Sequence, residues 1–487
     1  MKKGDEITVT GIEISTEGKG IAKTDEGFVI FVEGLLPGDN GIAKIHKKKS
    51  NYAEAKLIKL EVASPYRVDP LCPYFGTCGG CKRQDLQYEK QLEFKKDVVM
   101  NAFKRIGKFG ELEIPQVIGS DSIFFYRNKM EFSFSDDKWM MAHEVDKIKE
   151  NFAVGLHIPK FHSKILDIEV CYLQSEISYK ILNFSRDFFK SRNISVYSTN
   201  THSGFLRFLI VRQSANTKDL MINLITYDYN EELMKEYSES LLQCFPEITT
   251  FLNSTSIKKA QIAVGEEEHI LHGSGFMHEK LIDSSGKEFI FKISPQSFFQ
   301  TNTLQAQKLY DVTAEFGDFV PTDRVLDLYC GTGSISIFVS GKVEKVKGVE
   351  LVVDSISNAR ENAGLNNAGN TEFVVADIKE YIDQNERELL LNNSKFIGTE
   401  LESISRNAFN KVILDPPRAG LHPDISEILS ETHFDVIVYV SCNPVTQARD
   451  LDIICSKGKY RIEKIQPVDM FPHTYHIENV VKLVRVN

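Results

Sequence analysis

Five apolar runs in the second half of the chain constrain the fold more than any other feature: RVLDLY (324–329), VKGVEL (346–351), TEFVVAD (371–377), KVILD (411–415) and VIVYVSC (436–442). Each is short, largely apolar, and closes on or beside a tyrosine, an acid or a cysteine. Strands covered by helices on both faces read this way, because neither face meets water. From about residue 300 the order is strand, glycine turn, helix, strand. That order predicts a parallel, Rossmann-like α/β sheet, with ligands in the crevice outside the strands' carboxyl ends.

At the first strand end, Gly331-Thr332-Gly333 lets the backbone approach a ligand closely. The dinucleotide fingerprint needs a third glycine three residues on, where Ser336 stands. Glu350, closing the second strand, suits the two hydroxyls of a ribose, and Asp377, after the third, an adenine amino group. This layout is that of S-adenosylmethionine methyltransferases, ahead of a nucleotide-dependent oxidoreductase. Gly331 and Gly333, Glu350 and Asp377 are therefore candidate cofactor contacts.

The fourth and fifth strands end in Asp415-Pro416-Pro417-Arg418 and in Cys442-Asn443-Pro444. Pro444 turns the chain away, leaving the Cys442 sulfur facing the same crevice. A thiol there suits methylation of a carbon that is a poor nucleophile, such as C5 of uracil. Addition of a thiolate to C6 gives C5 enolate character, so Cys442 is read as a covalent catalyst. The thiolate is the reactive form, which calls for a depressed pKa or a positive neighbour; Arg418 and His473 are the candidates. A general base must then remove the C5 proton, and Glu478 in FPHTYHIENVVKL (471–483) is the candidate.

The N-terminal part reads differently. Residues 1–62 are short strand-like runs punctuated by glycine, without helical period, and predict a small β-barrel. CPYFGTCGGCKRQ then gives Cys72-x5-Cys78-x2-Cys81, with Cys171 the best-placed fourth thiol. Four thiolates suit structural zinc or an iron–sulfur cluster, and spacing alone leaves the two open. Tyr88–Gly107 has helical spacing and carries basic residues, among them Lys90, Lys95, Lys96, Lys104 and Arg105; KIHKKK (44–49) is a second basic run. Residues 125–290 alternate strand-like and helical segments, an α+β pattern, and 379–410 reads as a polar, helix-leaning insertion.

SPQSFFQTN, DLYCGTG, LDPPRAGL, VSCNP and FPHTYHIENV together resemble the RNA 5-methyluridine methyltransferase family over almost all of residues 286–487. The resemblance implies Cys442 as nucleophile, Glu478 as base, and cofactor contacts from Gln300, Tyr329, Glu350 and Asp415; Asp377 matches a cofactor-contacting acid in some members. It extends to the cysteine region, since members acting on ribosomal RNA carry this pattern with a TRAM-type barrel. That implies a [4Fe-4S] cluster on Cys72, Cys78, Cys81 and Cys171, with a structural or RNA-binding role. FYRNKMEFSF (125–134) also fits the family. Arg127, Asn128 and Lys129 are then candidate RNA contacts, and Phe125, Phe298 and Phe299 candidate stacking partners for a flipped base.

The expected protein has three parts: a TRAM-like barrel (1–62), a central α+β iron–sulfur domain (63–285, with 90–122 free to pack on the next domain) and a class I methyltransferase domain (286–487). Its expected activity is methylation of C5 of a uridine in 23S rRNA, with a tRNA uridine as alternative, and a non-catalytic RNA-binding factor as the reading from another class. A net charge of −10 argues against indiscriminate nucleic-acid binding but not against a local basic face. No apolar run reaches the roughly 20 residues of a membrane helix, and MKKGDEITVTG lacks a signal-peptide apolar core. A cytoplasmic monomer is expected.

Overall fold

The computed structural model describes residues 1–141, 144, 151–159, 161–382 and 409–486. Of the polar segment 379–410, residues 383–408 lie outside the described residues.

The chain opens with β1 (Glu6–Thr10), β2 (Glu13–Ile14), β3 (Gly20–Lys23), β4 (Val29–Glu33), β5 (Asn40–Lys48) and β6 (Tyr52–Val62), ordered β1-β5-β6-β4-β3-β2. Alternate residues point inward, and Val9, Ile30, Val32, Ala43, Ile45 and Ala53 form a core of their own. A sheet whose one apolar face is covered by no other element must curl around it. Helix α1 (Tyr88–Arg105) follows.

A second sheet, β13-β12-β11-β10-β7-β8-β9, is built from β7 (Lys129–Ser135), β8 (Ala153–Ile158), β9 (Phe161–Asp167), β10 (Leu206–Gln213), β11 (Leu220–Thr226), β12 (Thr250–Thr255) and β13 (Glu267–His272). Helices α2 (Glu176–Ser191) and α3 (Glu231–Cys244) pack on it through Phe189 and Tyr237.

A hairpin, β14 (Met277–Ile282) and β15 (Glu288–Ile293), leads into α4 (Thr303–Phe316). The third sheet then alternates strand and helix: β16 (Arg324–Leu328), α5 (Ser334–Ser340), β17 (Lys345–Glu350), α6 (Val353–Leu365), β18 (Thr371–Val375), β19 (Lys411–Leu414), α7 (Pro423–Glu431), β20 (Val436–Ser441), α8 (Pro444–Cys455), β21 (Tyr460–Val468) and β22 (Glu478–Arg485). Its order is β18-β17-β16-β19-β20-β22-β21, parallel up to β20, with β22 antiparallel to both neighbours. The chain order reverses on either side of β16, which opens the ligand crevice at that sheet edge.

Two earlier segments complete the layers of this sheet. The hairpin contributes Met277, Leu281, Phe289 and Phe291 to the core on one face, and α1 contributes Val99, Ala102 and Phe103 to the core on the other. The expected boundary at 285/286 therefore falls within the turn of that hairpin. Among the described residues no helix is long and apolar enough to cross a membrane.

Candidate active site

The strand order brings Tyr329, Gly331, Glu350, Asp377, Asp415, Cys442 and Glu478 to one edge of the third sheet. Because β22 runs against β20, it starts where the parallel strands end. Asn479 pairs with Ser441, so Cys442 and Glu478, one residue further along each strand, leave the sheet side by side. The break after Cys442 has a local cause: Pro444 occupies the first turn of α8, and the Asn443 side chain caps it, accepting the Val445 N–H at 3.1 Å.

At the end of β16, Tyr329 adopts a left-handed backbone, φ 66°, uncommon for a residue with a Cβ. The Gly331 N–H donates to Glu350 Oε2 at 3.3 Å, while Glu350 Oε1 accepts the Leu351 and Val352 N–H groups at 2.8 and 3.0 Å. The two glycines differ in task. A Cβ on Gly331 would meet nothing within 4 Å, so this backbone faces open space. A Cβ on Gly333 would approach the Phe373 ring to 2.8 Å, so that glycine lets α5 pack against β18. Leu351 and Val352 are 60% and 52% exposed beside Glu350, an apolar surface next to a carboxylate. That combination, with the open backbone at Gly331, fits an adenosine-bearing cofactor. Asp377 is exposed; its Oδ1 accepts the Lys379 N–H at 2.9 Å, and its charge helps raise the Tyr329 hydroxyl, which burial pushes up to about 12.

Sequence reasoning passed over Asp327, an acid inside the β16 run. It is buried, accepts the Ser336 hydroxyl through Oδ2, leaves Oδ1 without a partner, and is pushed up to about 7 by burial. The only signal was a charge in the middle of an apolar strand.

The expected depressed thiol pKa is not observed. Burial, and secondarily the charge of Glu478, push Cys442 up to about 11, and Arg418 acts in the opposite direction. Burial likewise raises Glu478 to about 8, with Asp415 adding to it and Arg418 opposing. Asp415 is pushed up to about 7 by burial and by Asp327. The expected positive neighbour is thus Arg418, not His473. His473 is turned toward α1: its ring lies against Gln91, with Nδ1 3.2 Å from Nε2, and against Phe124. The histidine beside Arg418 is His476, whose Nε2 lies 3.2 Å from Arg418 Nη2. Burial and the Arg418 charge lower His476 to about 4, so it is neutral and accepts from the guanidinium.

Several expected RNA contacts are otherwise engaged. Asn128 is buried and donates from Nδ2 to the Gln300 carbonyl at 2.8 Å and to Thr303 Oγ1 at 2.9 Å, so it is not free for a phosphate. Lys129 pairs with Glu131. In the basic helix, Lys95 is fully buried against Asp469, and Lys90 pairs with Glu93. Phe299 is a core residue at 6% exposure, whereas Phe298 and Phe125 are 68% and 45% exposed. Gln300 is half-buried in the segment that enters α4.

The four thiols of the cysteine region lie near enough for their charges to be felt by one another. Cys81 is pushed up to about 12 by burial and further by the charges of Cys171, Cys78 and Cys72; Cys171 is raised to about 11 by burial, with Cys78 and Cys72 adding to it. Four cysteines whose thiolates would repel one another are a donor set suited to a metal centre that would neutralise them. As they stand, however, among the described residues no group of three or more His, Cys, Asp or Glu side chains is arranged to hold a metal ion. The sequence expectation of a formed ligand set is corrected to that extent. The loop carrying them touches the active-site turn, since the Lys82 and Arg83 N–H groups both donate to the His473 carbonyl, at 2.7 and 3.0 Å.

Comparison with known proteins gives a consistent result. A family profile described as tRNA (Uracil-5-)-methyltransferase matches residues 208–486, and a TRAM domain profile matches residues 2–58. A protein of Chlorobaculum tepidum named an uncharacterized RNA methyltransferase is 39% identical over 485 residues, spanning 98% of this chain and 96% of that protein. One of the same description from Bacteroides thetaiotaomicron is 40% identical over 477 residues, spanning 96% and 99%. Among solved structures, the Pyrococcus abyssi tRNA (uracil-54, C5)-methyltransferase in complex with S-adenosyl-L-homocysteine superposes with a TM-score of 0.72 at 30% identity, covering 98% of this chain and 100% of that one.

Proposed function

This chain belongs to the tRNA (Uracil-5-)-methyltransferase family and is an S-adenosylmethionine-dependent RNA methyltransferase with an N-terminal TRAM domain; we propose that it methylates C5 of a uridine through a covalent bond between Cys442 and C6. The observation that carries the reading is the side-by-side emergence of Cys442 and Glu478 at the edge that also presents Gly331, Glu350 and Asp415.

The Cys442 thiolate adds to C6, and the electrons of the C5–C6 double bond move toward O4 as an enolate. Arg418 supplies the positive charge that favours the thiolate. S-adenosylmethionine, when bound, supplies the sulfonium methyl group that C5 attacks. Glu478, as carboxylate, then takes the C5 proton; the double bond re-forms, the carbon–sulfur bond breaks, and the thiolate leaves. The burial that raises Glu478 also strengthens it as a base. Gln300, Tyr329, Gly331, Glu350, Asp377 and Asp415 are assigned to the cofactor. Gly333 enters that site through packing.

Cys72, Cys78, Cys81 and Cys171 would hold a [4Fe-4S] cluster in a structural role, since methyl transfer moves no net electrons. The division into barrel (1–62), central domain (63–285) and catalytic domain (286–487) is retained for a cytoplasmic monomer, with α1 and the β14–β15 hairpin lent to the catalytic layers.

The substrate proposed is 23S rRNA. A tRNA uridine is a second reading with an observation behind it: the solved tRNA enzyme covers 98% of this chain, so the barrel and cysteine region do not by themselves point away from tRNA. Mass-spectrometric mapping of 5-methyluridine in ribosomal and transfer RNA from a strain lacking the gene separates the two. The mechanism is tested with Cys442→Ala, which should lose turnover and the covalent adduct with 5-fluorouridine RNA while still binding S-adenosylhomocysteine. An unchanged rate would overturn it.

A further inference from the structure

We infer that Asn128 and Arg212, both from the central sheet, are positioning residues for the cofactor site: they hold the backbone of residues 295–303, the segment that presents Gln300. The inference rests on the reading of Gln300 as a cofactor contact.

The segment lies between β15 and α4 and has little secondary structure of its own. Phe298 in its middle is 68% exposed. Its backbone is instead fastened from outside. Asn128, 8% exposed, immediately precedes β7. Its Nδ2 donates to the Gln300 carbonyl at 2.8 Å and to Thr303 Oγ1 at 2.9 Å, and its backbone N–H donates to the Thr301 carbonyl at 2.8 Å. The Asn128 carbonyl accepts the Gln213 N–H at 2.8 Å, which ties the asparagine to the end of β10. One residue earlier on β10, Arg212 is 3% exposed, and its Nη2 donates to the carbonyls of Ser297 at 2.6 Å and Pro295 at 3.3 Å.

Neighbouring groups make the clamp rigid. Thr303 Oγ1 donates to Glu279 Oε2 at 2.7 Å, and this fully buried carboxylate on β14 also accepts Ser214 Oγ at 2.6 Å and the Ala215 N–H at 2.9 Å. Thr303 therefore links Asn128 to Glu279, and Arg212 and Asn128 grip the segment on both sides of Phe298. A buried polar network of this kind favours one backbone geometry, because each lost donor leaves a carbonyl unpaired. The consequence is that the cofactor pocket is not built by the methyltransferase sheet alone. The two strands that set Asn128 and Arg212, β7 and β10, pair with each other, with Arg212 opposite Lys129.

The test measures S-adenosylhomocysteine affinity by calorimetry, RNA affinity by filter binding, and initial rates over S-adenosylmethionine concentration, on the full chain. Asn128→Asp keeps size but removes both side-chain donors; Arg212→Met keeps length but removes the guanidinium. Each should weaken S-adenosylhomocysteine binding and raise KM for S-adenosylmethionine by roughly tenfold, with RNA affinity within about twofold and kcat at saturation largely kept. Arg212→Lys, with one donor and the charge retained, should recover part of the loss. Thr303→Val provides a further variant should Asn128→Asp fail to fold, and is expected to act in the same direction. Gln300→Ala is measured alongside. If it weakens cofactor binding while folded Asn128→Asp, Arg212→Met and Thr303→Val do not, the positioning role is wrong. If Gln300→Ala itself has no effect, the assignment of Gln300 fails, and the inference with it.

Discussion

Glu478 begins β22 beside the point where Cys442 leaves β20, and its charge is the largest influence on that thiol after burial itself. A carboxylate next to a thiolate is costly, and Arg418 opposes the shift of both groups. Burial and the Glu478 charge together therefore favour the protonated thiol.

The ionisation of Cys442 can be read by the pH dependence of its alkylation with iodoacetamide. Removing the carboxylate in Glu478→Gln should move the midpoint to lower pH, because the charge that raises the thiol is gone. Arg418→Met should move it higher. A midpoint unmoved in both variants would mean that neither group faces the sulfur.

Turnover by Glu478→Gln should fall by about 10²–10⁴, the usual worth of a positioned base. The loss should come after methyl transfer, so methylated RNA should accumulate as a covalent adduct resolved on a denaturing gel. Product released at the normal rate would remove Glu478 from the reaction.

Stability should depend on pH through the same carboxyl. Its folded pKa, about 8, lies above the ordinary 4.5, so the folded state holds a proton that the unfolded state releases. That stabilisation is complete below pH 4.5 and is lost as pH rises through 8. Asp415 and Asp327, both raised to about 7, act in the same direction over a narrower window. Glu478→Gln cannot ionise, so its melting temperature should gain on wild type steadily from pH 5 to about 8.5. A difference constant across that range would show that Glu478 is not buried as a neutral acid.

How far the sequence was legible follows from the physics of each part. Glu350, Asp415 and Cys442 could be placed because a parallel strand buried on both faces is an apolar run closed by a polar residue, whereas Tyr329 came from the resemblance, and Asp327 breaks its run from within. Glu478 was named from its place at the start of a final apolar run and from the resemblance; that this run lies antiparallel, and so starts where the others end, came from the structure. The role of Asn128 was not legible: a polar residue before a strand looks the same whether it meets a phosphate or a carbonyl 172 residues away. His473 and His476 stand in one turn, where His473 takes a positive φ of 63° and His476 meets Arg418, and no sequence pattern announces which of the two does so. The helix α1 read as a basic surface because Lys95 is charged in any sequence, and its burial depends on Asp469, far along the chain.

The cysteine region makes a separable prediction. Protein purified without oxygen should carry about four irons per chain, with a broad visible absorbance, and Cys78→Ser should lose both. Zinc at one ion per chain without colour would replace the cluster with a structural zinc site. Because the Lys82 and Arg83 N–H groups donate to the His473 carbonyl, Cys78→Ser should also slow turnover without altering the thiol chemistry of Cys442 itself.

The buried pair of Lys95 and Asp469 bears most directly on how Glu478 is held. Both side chains are fully inaccessible, with Nζ 2.5 Å from Oδ1, and Lys95 also donates to the Phe471 carbonyl at 3.0 Å. Asp469 further accepts the Tyr88 hydroxyl at 2.8 Å and the Phe471 N–H at 3.0 Å. These bonds anchor to α1 the start of the turn that runs through His473 and His476 to Glu478. Lys95→Met would leave the carboxylate buried without its counter-charge, a loss of about 3–5 kcal/mol, measurable by urea unfolding. Asp469→Asn should also destabilise, since it strands the Lys95 ammonium in turn and leaves one acceptor oxygen where Tyr88 and Phe471 each donate to a separate one. The two changes together should cost less than their sum by at least about 1 kcal/mol, because the second removes the charge the first exposed. Strict additivity would mean that the pair does not act as a unit, and the turn would then owe its position to its other anchors, the Gln91–His473 contact and the Lys82 and Arg83 N–H groups among them.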